Sequence, residues 1–205
     1  MLLIERIVGL IPVSEELEKN FPEIRREYDE IIKHYDNFAP FQSISPDQTY
    51  ISNDDKWRLF FLKGAGIWFK RNCLSMPITH SILKRHSNVV SAYISVLGPR
   101  KKLNLHAGPY SGVLRLHLAL DIPHQQRCCL SVNGQRTHWE QGRCLFFDDT
   151  YELRAVLFMD ILKPLPWHLN FLNKAIIKIA RIFPYVWIPW RRHKRWEKDF
   201  YNDSC

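Results

Sequence analysis

Hydrophobic positions recur at helical spacing in the first part of the chain and at alternate positions further on. Residues 14–36 are predicted to form a helix, because Ser14 can cap an acidic start and apolar side chains from Ile24 onward return at nearly helical intervals. A short strand at 57–62 and a helix at 77–84 are predicted in the same part of the chain. The pattern therefore predicts a largely helical N-terminal portion.

From Asn88 onward the apolar period falls to two, which is the period of a half-buried strand. Turn-forming residues separate candidate strands at 89–97, 113–121, 127–133, 136–139, 143–148 and 153–161. The Asn133-Gly134 pair between two of them predicts a tight hairpin, since both residues tolerate positive φ. Many short strands at this spacing are typical of a β-sandwich or jelly roll, so the chain is predicted to be mainly β.

An amphipathic helix is predicted over 168–183, followed by a basic tail rich in proline and tryptophan. The apolar stripe of this helix comprises Leu169, Leu172, Ile176, Ile179 and Phe183. A basic amphipathic helix followed by interfacial tryptophans is typical of an element that lies on an anionic membrane surface. The same pattern also suits a helix packed on the β-core with a solvated basic face. Both interpretations of the 168–198 segment stay open.

Length and charge fit one domain with a localised basic surface. The 205 residues suit a single domain over 1–205, with a helical portion at about 14–87, a β-helix core at 88–163 and a basic C-terminal tail at 164–205. The net charge is +8, and the stretch from Lys163 to Lys198 holds nine Lys and Arg against one acid. Such a local excess implies an anionic partner. A membrane surface is expected rather than nucleic acid, because no nucleic-acid-binding motif accompanies the charge.

Cysteine usage and hydropathy predict a cytoplasmic protein that can touch a membrane peripherally. The five cysteines are odd in number and form no C-x-x-C motif, which argues against a disulfide framework and for a reducing compartment. No uninterrupted apolar stretch approaches the roughly 20 residues that a transmembrane helix needs. The apolar N-terminus carries no small-residue cleavage site.

Candidate chemistry begins on the strand predicted at 113–121. Its leucines point one way, whereas Arg115 and His117 point the other way, where burial is costly unless they meet an anion or a polar partner. Ser95 on one strand and Arg154 at the start of another can join them, and an arginine grips a carboxylate with two parallel hydrogen bonds. These side chains can therefore line a dicarboxylate pocket. The alternative is a buried ion-pair network around three acids, Asp148, Asp149 and Asp160.

Four motifs extend this picture beyond one strand. They are His106-Ala107-Gly108-Pro109, Leu114-Arg115-Leu116-His117-Leu118, Trp139-Glu140-Gln141-Gly142 and Phe147-Asp148-Asp149-Thr150-Tyr151-Glu152. In order and separation they resemble the aspartyl/asparaginyl β-hydroxylase family of Fe(II)/2-oxoglutarate dioxygenases, which includes the lipid A 2-hydroxylases. The resemblance runs from about residue 20 to the C-terminus. It implies a double-stranded β-helix fold and hydroxylation of a C–H bond in a peptide, amino-acid or lipid-linked substrate.

The resemblance also implies roles for individual residues. His106 matches the proximal iron ligand, and Ser95, Arg115, His117 and Arg154 match positions that bind the cosubstrate 2-oxoglutarate. Most dioxygenases of this fold have a carboxylate ligand two residues after the first histidine. Gly108 stands there in this chain, as in the branch of the family that holds iron with two histidines.

The chain departs from the family directly after Glu152. Leu153 occupies the place of the distal histidine, and the segment that carries this ligand is absent before Arg154. Glu152 is a conceivable replacement ligand, although strand alternation turns it away from the ligand position. Two functions therefore stay open. One is an Fe(II)/2-oxoglutarate-dependent hydroxylase, and the other is a catalytically impaired relative that binds a dicarboxylate or a membrane surface without turnover.

Overall fold

The computed structural model describes residues 11–99, 101, 103, 110–122, 129–132, 135–147 and 155–202. The helices in this part of the chain are α1 (Pro12–Lys19), α2 (Phe21–Ile31), α3 (Phe41–Ile44), α4 (Lys70–Ser75), α5 (Pro77–Arg85), α6 (Trp167–Ala180) and α7 (Pro184–Asn202). Short 3₁₀ helices occupy Ile32–Asn37 and Pro46–Gln48.

The strands are β1 (Ala39–Pro40), β2 (Trp57–Gly64), β3 (Ile67–Trp68), β4 (Val89–Leu97), β5 (Val113–Asp121), β6 (Cys129–Val132), β7 (Gln135–His138), β8 (Cys144–Phe147) and β9 (Ala155–Leu162). One antiparallel sheet has the order β1-β2-β4-β9-β5-β8, with β3 paired to β2. β6 and β7 form a separate antiparallel pair with Val132 opposite Gln135. The predicted hairpin is thus confirmed, although Asn133 and Gly134 lie outside the described residues.

The prediction of a mainly β chain is wrong. The structure is mixed, and more of the described residues lie in helices than in strands. The largest error is in the C-terminal segment, where the predicted proline- and tryptophan-rich tail is the 19-residue helix α7. Pro184 stands in its first turn, where a missing N–H breaks no helical hydrogen bond, and Pro189 is accommodated inside it. The double-stranded β-helix remains a prediction of the family resemblance.

The helix predicted at 14–36 forms as two helices and a 3₁₀ turn. α1 ends at Lys19 and α2 begins at Phe21, with Asn20 between them at φ −100° and ψ 18°. Pro22 in the first turn of α2 lacks the backbone donor that one continuous helix would need. The Asn20 side-chain amide donates to the Glu16 carbonyl at 2.7 Å, which satisfies an acceptor at the end of α1.

The main hydrophobic core joins the N-terminal helices to one face of the sheet. Leu17 of α1 and Ile24 of α2 are fully buried in one cluster with Leu116 and Leu118 of β5 and Met159 of β9. The leucines predicted to share a face of β5 therefore point into this core. Burial of each such side chain stabilises the fold by roughly 1.5–3 kcal/mol.

Helix α7 is docked against β2 and α4 through buried polar side chains. His193 Nε2 of α7 accepts a hydrogen bond from the Phe61 backbone N–H at 3.3 Å. Asn72 of α4 donates through Nδ2 to the Phe61 carbonyl at 2.7 Å. These contacts satisfy backbone groups of β2 between the parts that pair with β1 and β3. Glu197 Oε1 accepts from the backbone N–H groups of Arg71 and Asn72 at 3.1 and 3.3 Å. Because His193 and Glu197 are each 1% exposed, α7 is an integral part of the fold.

Helix α6 instead leaves its apolar stripe in solvent. Its members, Leu169, Leu172, Ile176, Ile179 and Phe183, are all exposed, and Trp167 and Phe171 of the same helix are 84% and 70% exposed. The buried residue of α6 is Asn173, whose side-chain amide donates to the Gly112 carbonyl at 2.7 Å. None of the helices described is long and apolar enough to cross a membrane.

Candidate functional site

Strand alternation creates a second surface on the sheet, opposite the main core. We call it the polar face and define it by Tyr93 and Ser95 of β4, Phe158 and Asp160 of β9, and Arg115, His117 and Ala119 of β5. The register of the three strands places these side chains in rows of cross-strand neighbours. Ser95 lies beside Val156, which lies beside Ala119. Tyr93 lies beside Phe158, which lies beside His117, and Asp160 lies beside Arg115. The structure thus brings Ser95, Arg115 and His117, three of the predicted acid-binding residues, to one surface.

Ser95 is held at the edge of the polar face by an indole. The Trp57 Nε1–H donates to Ser95 Oγ at 3.0 Å, and Ser95 is 5% exposed. Trp57 is fixed in turn by stacking on Phe41, with ring centroids 3.7 Å apart and planes 14° apart. Since the Ser95 oxygen accepts from Trp57, its hydroxyl hydrogen is directed elsewhere and can donate to a ligand.

His117 lies in the middle row among aromatic rings. Its ring centroid is 4.7 Å from Phe158 and 6.2 Å from Trp139, and the residue is 4% exposed. Burial, reinforced by the positive charge of Arg115, holds the pKa of His117 well below its usual value of 6.5. The imidazole is therefore neutral at physiological pH, so that one ring nitrogen donates and the other accepts.

Arg115 contacts an acid and an aromatic ring of β9. Its Nε lies 3.8 Å from Asp160 Oδ1, and its guanidinium carbon lies 5.5 Å from the centre of the Phe158 ring. At this separation the two groups form an ion pair rather than a short hydrogen bond. Of the predicted ion-pair network, Asp160 is present beside Arg115, whereas Asp148 and Asp149 lie outside the described residues.

Trp139 is a member of this site for which no role was predicted from the sequence. Its side chain is buried, and Nε1 has no hydrogen-bond partner within the part of the chain that the structure describes. It packs in one cluster with Val156 of β9 and with Ala119 and Phe158 of the polar face. A buried indole N–H without an acceptor costs about 1–3 kcal/mol. A bound carboxylate or carbonyl oxygen would supply that acceptor.

Tyr93 is a second addition from the structure. Its ring stacks on Phe158 with centroids 4.5 Å apart and planes 14° apart. Burial, together with the negative charge of Asp160, holds the pKa of Tyr93 well above 10, so its hydroxyl stays protonated. Strand alternation places Tyr93 on the same side of β4 as Ser95, but only the three-dimensional register shows that its ring lines the middle of the polar face.

The remaining predicted site residues are His106, Glu152 and Arg154, and all three lie outside the described residues. Among the described residues there is no group of three or more His, Cys, Asp or Glu side chains that could hold a metal ion. The described part of the site therefore fits an anionic organic ligand, with a guanidinium, a neutral imidazole, a hydroxyl and an indole N–H on one surface. An iron ligand set is not found within it.

Comparison with known proteins identifies the class to which this fold and site belong. Residues 18–164 match the aspartyl/asparaginyl beta-hydroxylase family. The match includes the polar face and the N-terminal helix α2 that backs the sheet. The chain therefore belongs to the aspartyl/asparaginyl β-hydroxylase family of hydroxylases.

Three members of this family illustrate how much of each protein the chain matches. The chain is 36% identical over 203 residues to the ornithine lipid ester-linked acyl 2-hydroxylase of Rhizobium tropici, covering 94% of this chain and 72% of the relative. It is 33% identical over 143 residues to human aspartate beta-hydroxylase domain-containing protein 2, covering 67% and 37%. The mouse aspartyl/asparaginyl beta-hydroxylase is 25% identical over 177 residues, covering 80% and 22%. The chain thus spans most of the bacterial relative but well under half of these animal proteins.

Proposed function

We propose that this chain is an Fe(II)/2-oxoglutarate-dependent hydroxylase whose polar face holds the cosubstrate. The observation that carries the proposal is the convergence of Arg115, His117 and Ser95 on one surface of the sheet. A dicarboxylate needs a cationic partner and several neutral donors, and these residue types meet that need without burying an uncompensated charge.

Each described residue takes a definite role in this proposal. Arg115 pairs with a carboxylate of 2-oxoglutarate, because a guanidinium can offer it two parallel N–H donors. His117 donates one hydrogen bond as a neutral imidazole, and Ser95 donates its hydroxyl hydrogen while its oxygen accepts from Trp57. The rings of Tyr93 and Phe158 exclude water from the middle of the face, which strengthens these polar contacts. Arg154 is the predicted fifth contributor.

The iron ligands belong to the same proposal. We assign His106 to Fe(II), with Glu152 as the candidate replacement for the missing distal histidine. Together, ferrous iron and 2-oxoglutarate supply oxygen activation, in which one atom of O₂ enters a C–H bond, the other enters succinate, and CO₂ is released. The contribution of the chain is to bind and orient the cosubstrate and to shield the reaction from water.

The substrate we propose is the ester-linked acyl chain of a membrane lipid. The Rhizobium tropici relative carries that activity in its name and matches nearly the whole of this chain. The exposed apolar stripe of α6 supports the proposal, because such a surface lets the protein lie on the bilayer that holds the substrate. We further propose a cytoplasmic, peripheral location. Cys73 and Cys144 are buried free thiols, as expected in a reducing compartment.

The test is a turnover assay with mass spectrometry. Purified protein receives Fe(II), 2-oxoglutarate, O₂ and ornithine lipid in detergent micelles, and we expect the acyl chain to gain one oxygen atom as succinate accumulates. Arg115→Ala should abolish both products. The matched control Arg143→Ala should retain both, since Arg143 pairs with Glu18 away from the polar face. Intact 2-oxoglutarate binding without any oxidised lipid or succinate would favour the catalytically impaired alternative.

A further inference from the structure

A basic pocket lies beside α6, at the end of the sheet. It has a volume of about 730 Å³ and is lined on its polar side by Lys63, Lys84, Lys174, Lys178 and Arg181. None of the described residues that line it is acidic. Five cations around one cavity repel one another, so this arrangement favours a bound anion.

Lys63 is the buried cation among the residues that line the pocket. It is 8% exposed, its Nζ donates to the Val89 carbonyl at 2.7 Å, and it lies 4.5 Å from the centre of the Trp68 ring. Burial, together with the positive charge of Arg181, lowers the pKa of Lys63. Among the described residues that line this cavity there is no carboxylate beside the buried ammonium group, so a bound anion would offset its desolvation.

Arg181 is held in place by the turn between β2 and β3. Its Nε donates to the Ala65 carbonyl at 2.7 Å. Gly66 has φ +79°, and a Cβ at that position would collide with Arg181 Nη2. The glycine therefore permits both the left-handed turn and the close approach of the guanidinium. The Arg181 side of the pocket is therefore held by contacts with the backbone of the turn.

The pocket continues directly into the exposed apolar stripe of α6. Phe171 lines the pocket and is also 70% exposed, and Lys174 and Lys178 follow it at helical spacing. Leu172, Ile176 and Ile179 extend the exposed apolar surface along the same helix. A cationic cavity bordered by solvent-exposed apolar side chains complements a molecule with an anionic head and an apolar tail.

We propose that this pocket binds the phosphate headgroup of an anionic phospholipid while the apolar stripe of α6 lies among the acyl chains. Such a site is distinct from the one that takes 2-oxoglutarate and substrate. It lies at the end of β9, where Leu162 lines the pocket two residues beyond Asp160 of the polar face. A phospholipid held there would orient the hydroxylase on the membrane with its polar face close to the surface.

The experiment measures partition onto vesicles without iron or 2-oxoglutarate, so its outcome is independent of turnover. Vesicles of phosphatidylcholine alone are compared with vesicles containing phosphatidylglycerol. The test variant is Lys174→Ala/Lys178→Ala, and the matched control is Arg195→Ala/Lys198→Ala, which removes two exposed charges from α7 outside the pocket. All four side chains are exposed, and circular dichroism and thermal melting verify that both variants fold.

We expect wild-type protein to bind the anionic vesicles and the test variant to bind them about thirtyfold more weakly, since each basic residue at an anionic surface contributes about a fivefold factor. The control should lose less than about threefold, because its charges act only through the screened surface field. Equal losses in the two variants would show diffuse attraction and overturn the pocket. Vesicle binding by the test variant equal to that of the wild type would overturn the pocket as well. It would also be overturned if the wild-type protein bound no vesicle but bound a single-stranded oligonucleotide, and the test variant lost that binding.

Discussion

The two faces of the central sheet are made from alternate residues of the same strands, yet different forces fix them. On β5, Leu116 points into the main core, while its neighbours Arg115 and His117 point to the polar face. The first face is stabilised by burial of apolar surface against α1 and α2. The second holds side chains that are costly to bury. Burial of the apolar face specifies the fold, whereas the polar face carries the side chains to which we assign ligand binding.

The apolar face should carry most of the stability. Leu116→Ala removes a fully buried side chain and should lower the free energy of unfolding by about 2–5 kcal/mol. Leu74→Ala is the control, because Leu74 is 80% exposed and its loss should cost under about 0.5 kcal/mol. Urea titration measures both values. Similar costs for the two variants would contradict the placement of the core.

The polar face should carry binding rather than stability. Arg115→Ala should weaken 2-oxoglutarate affinity about 100-fold, because a hydrogen bond to a charged group contributes about 1.5–3 kcal/mol. Isothermal titration calorimetry measures the affinity, with Arg143→Ala again as the control. An unchanged dissociation constant in Arg115→Ala would remove Arg115 from the site and favour a purely structural pairing with Asp160.

Ser95 connects the two roles, since its hydroxyl belongs to the polar face and accepts from Trp57. Ser95→Ala leaves the Trp57 indole N–H without its acceptor and should lower the free energy of unfolding by about 1–3 kcal/mol. Ser52→Ala is the matched control. Ser52 is also buried, but its Oγ has no hydrogen-bond partner within the described residues. If both substitutions have the same effect, the Trp57–Ser95 bond does not fix the edge of the face.

The histidine of the polar face should make stability depend on pH. Burial, with the charge of Arg115, holds the pKa of His117 well below 6.5 in the folded state. Above pH 6.5 the imidazole is neutral in both the folded and the unfolded chain. As pH falls below 6.5, only the unfolded chain gains a proton, so the free energy of unfolding decreases. His117→Gln should reduce the slope of the free energy of unfolding against pH by up to about 1.4 kcal/mol per pH unit, with the full effect at least about one pH unit below 6.5. His193 is also buried, and its pKa is lowered by burial and by Lys194, so part of the slope should persist. An identical slope in the variant would show that His117 does not titrate in this way.

Strand periodicity predicts a large part of the sheet and part of the site. The bounds predicted for 89–97 and 113–121 coincide with β4 and β5, and alternation alone places Arg115 and His117 opposite the leucines. The same alternation on the preceding strand proposes Ser95 as a partner, and the family resemblance assigns it the same role. These features are local, because they depend on which side of one strand a residue occupies.

The features that the sequence did not predict depend on distant contacts. The segment of helix α7 was predicted only as a basic tail rich in proline and tryptophan, because prolines, tryptophans and clustered charges are its main local signals. Its order depends on His193 and Glu197, which bond to backbone groups of Phe61, Arg71 and Asn72 more than 120 residues away. The roles of Trp139 and Tyr93 likewise require the register of the sheet. Local pattern cannot show which buried donors lack an acceptor.

The central claim is that this chain binds Fe(II) and 2-oxoglutarate together, and anaerobic titration tests it most directly. Fe(II) is added to the protein in the presence of 2-oxoglutarate while the visible metal-to-ligand charge-transfer band of the chelate is followed. The account predicts a band that saturates at one equivalent of iron in the wild-type protein and is lost in Arg115→Ala. No band in a protein that still binds 2-oxoglutarate by calorimetry would contradict the claim and show that the acid-binding face exists without an iron site.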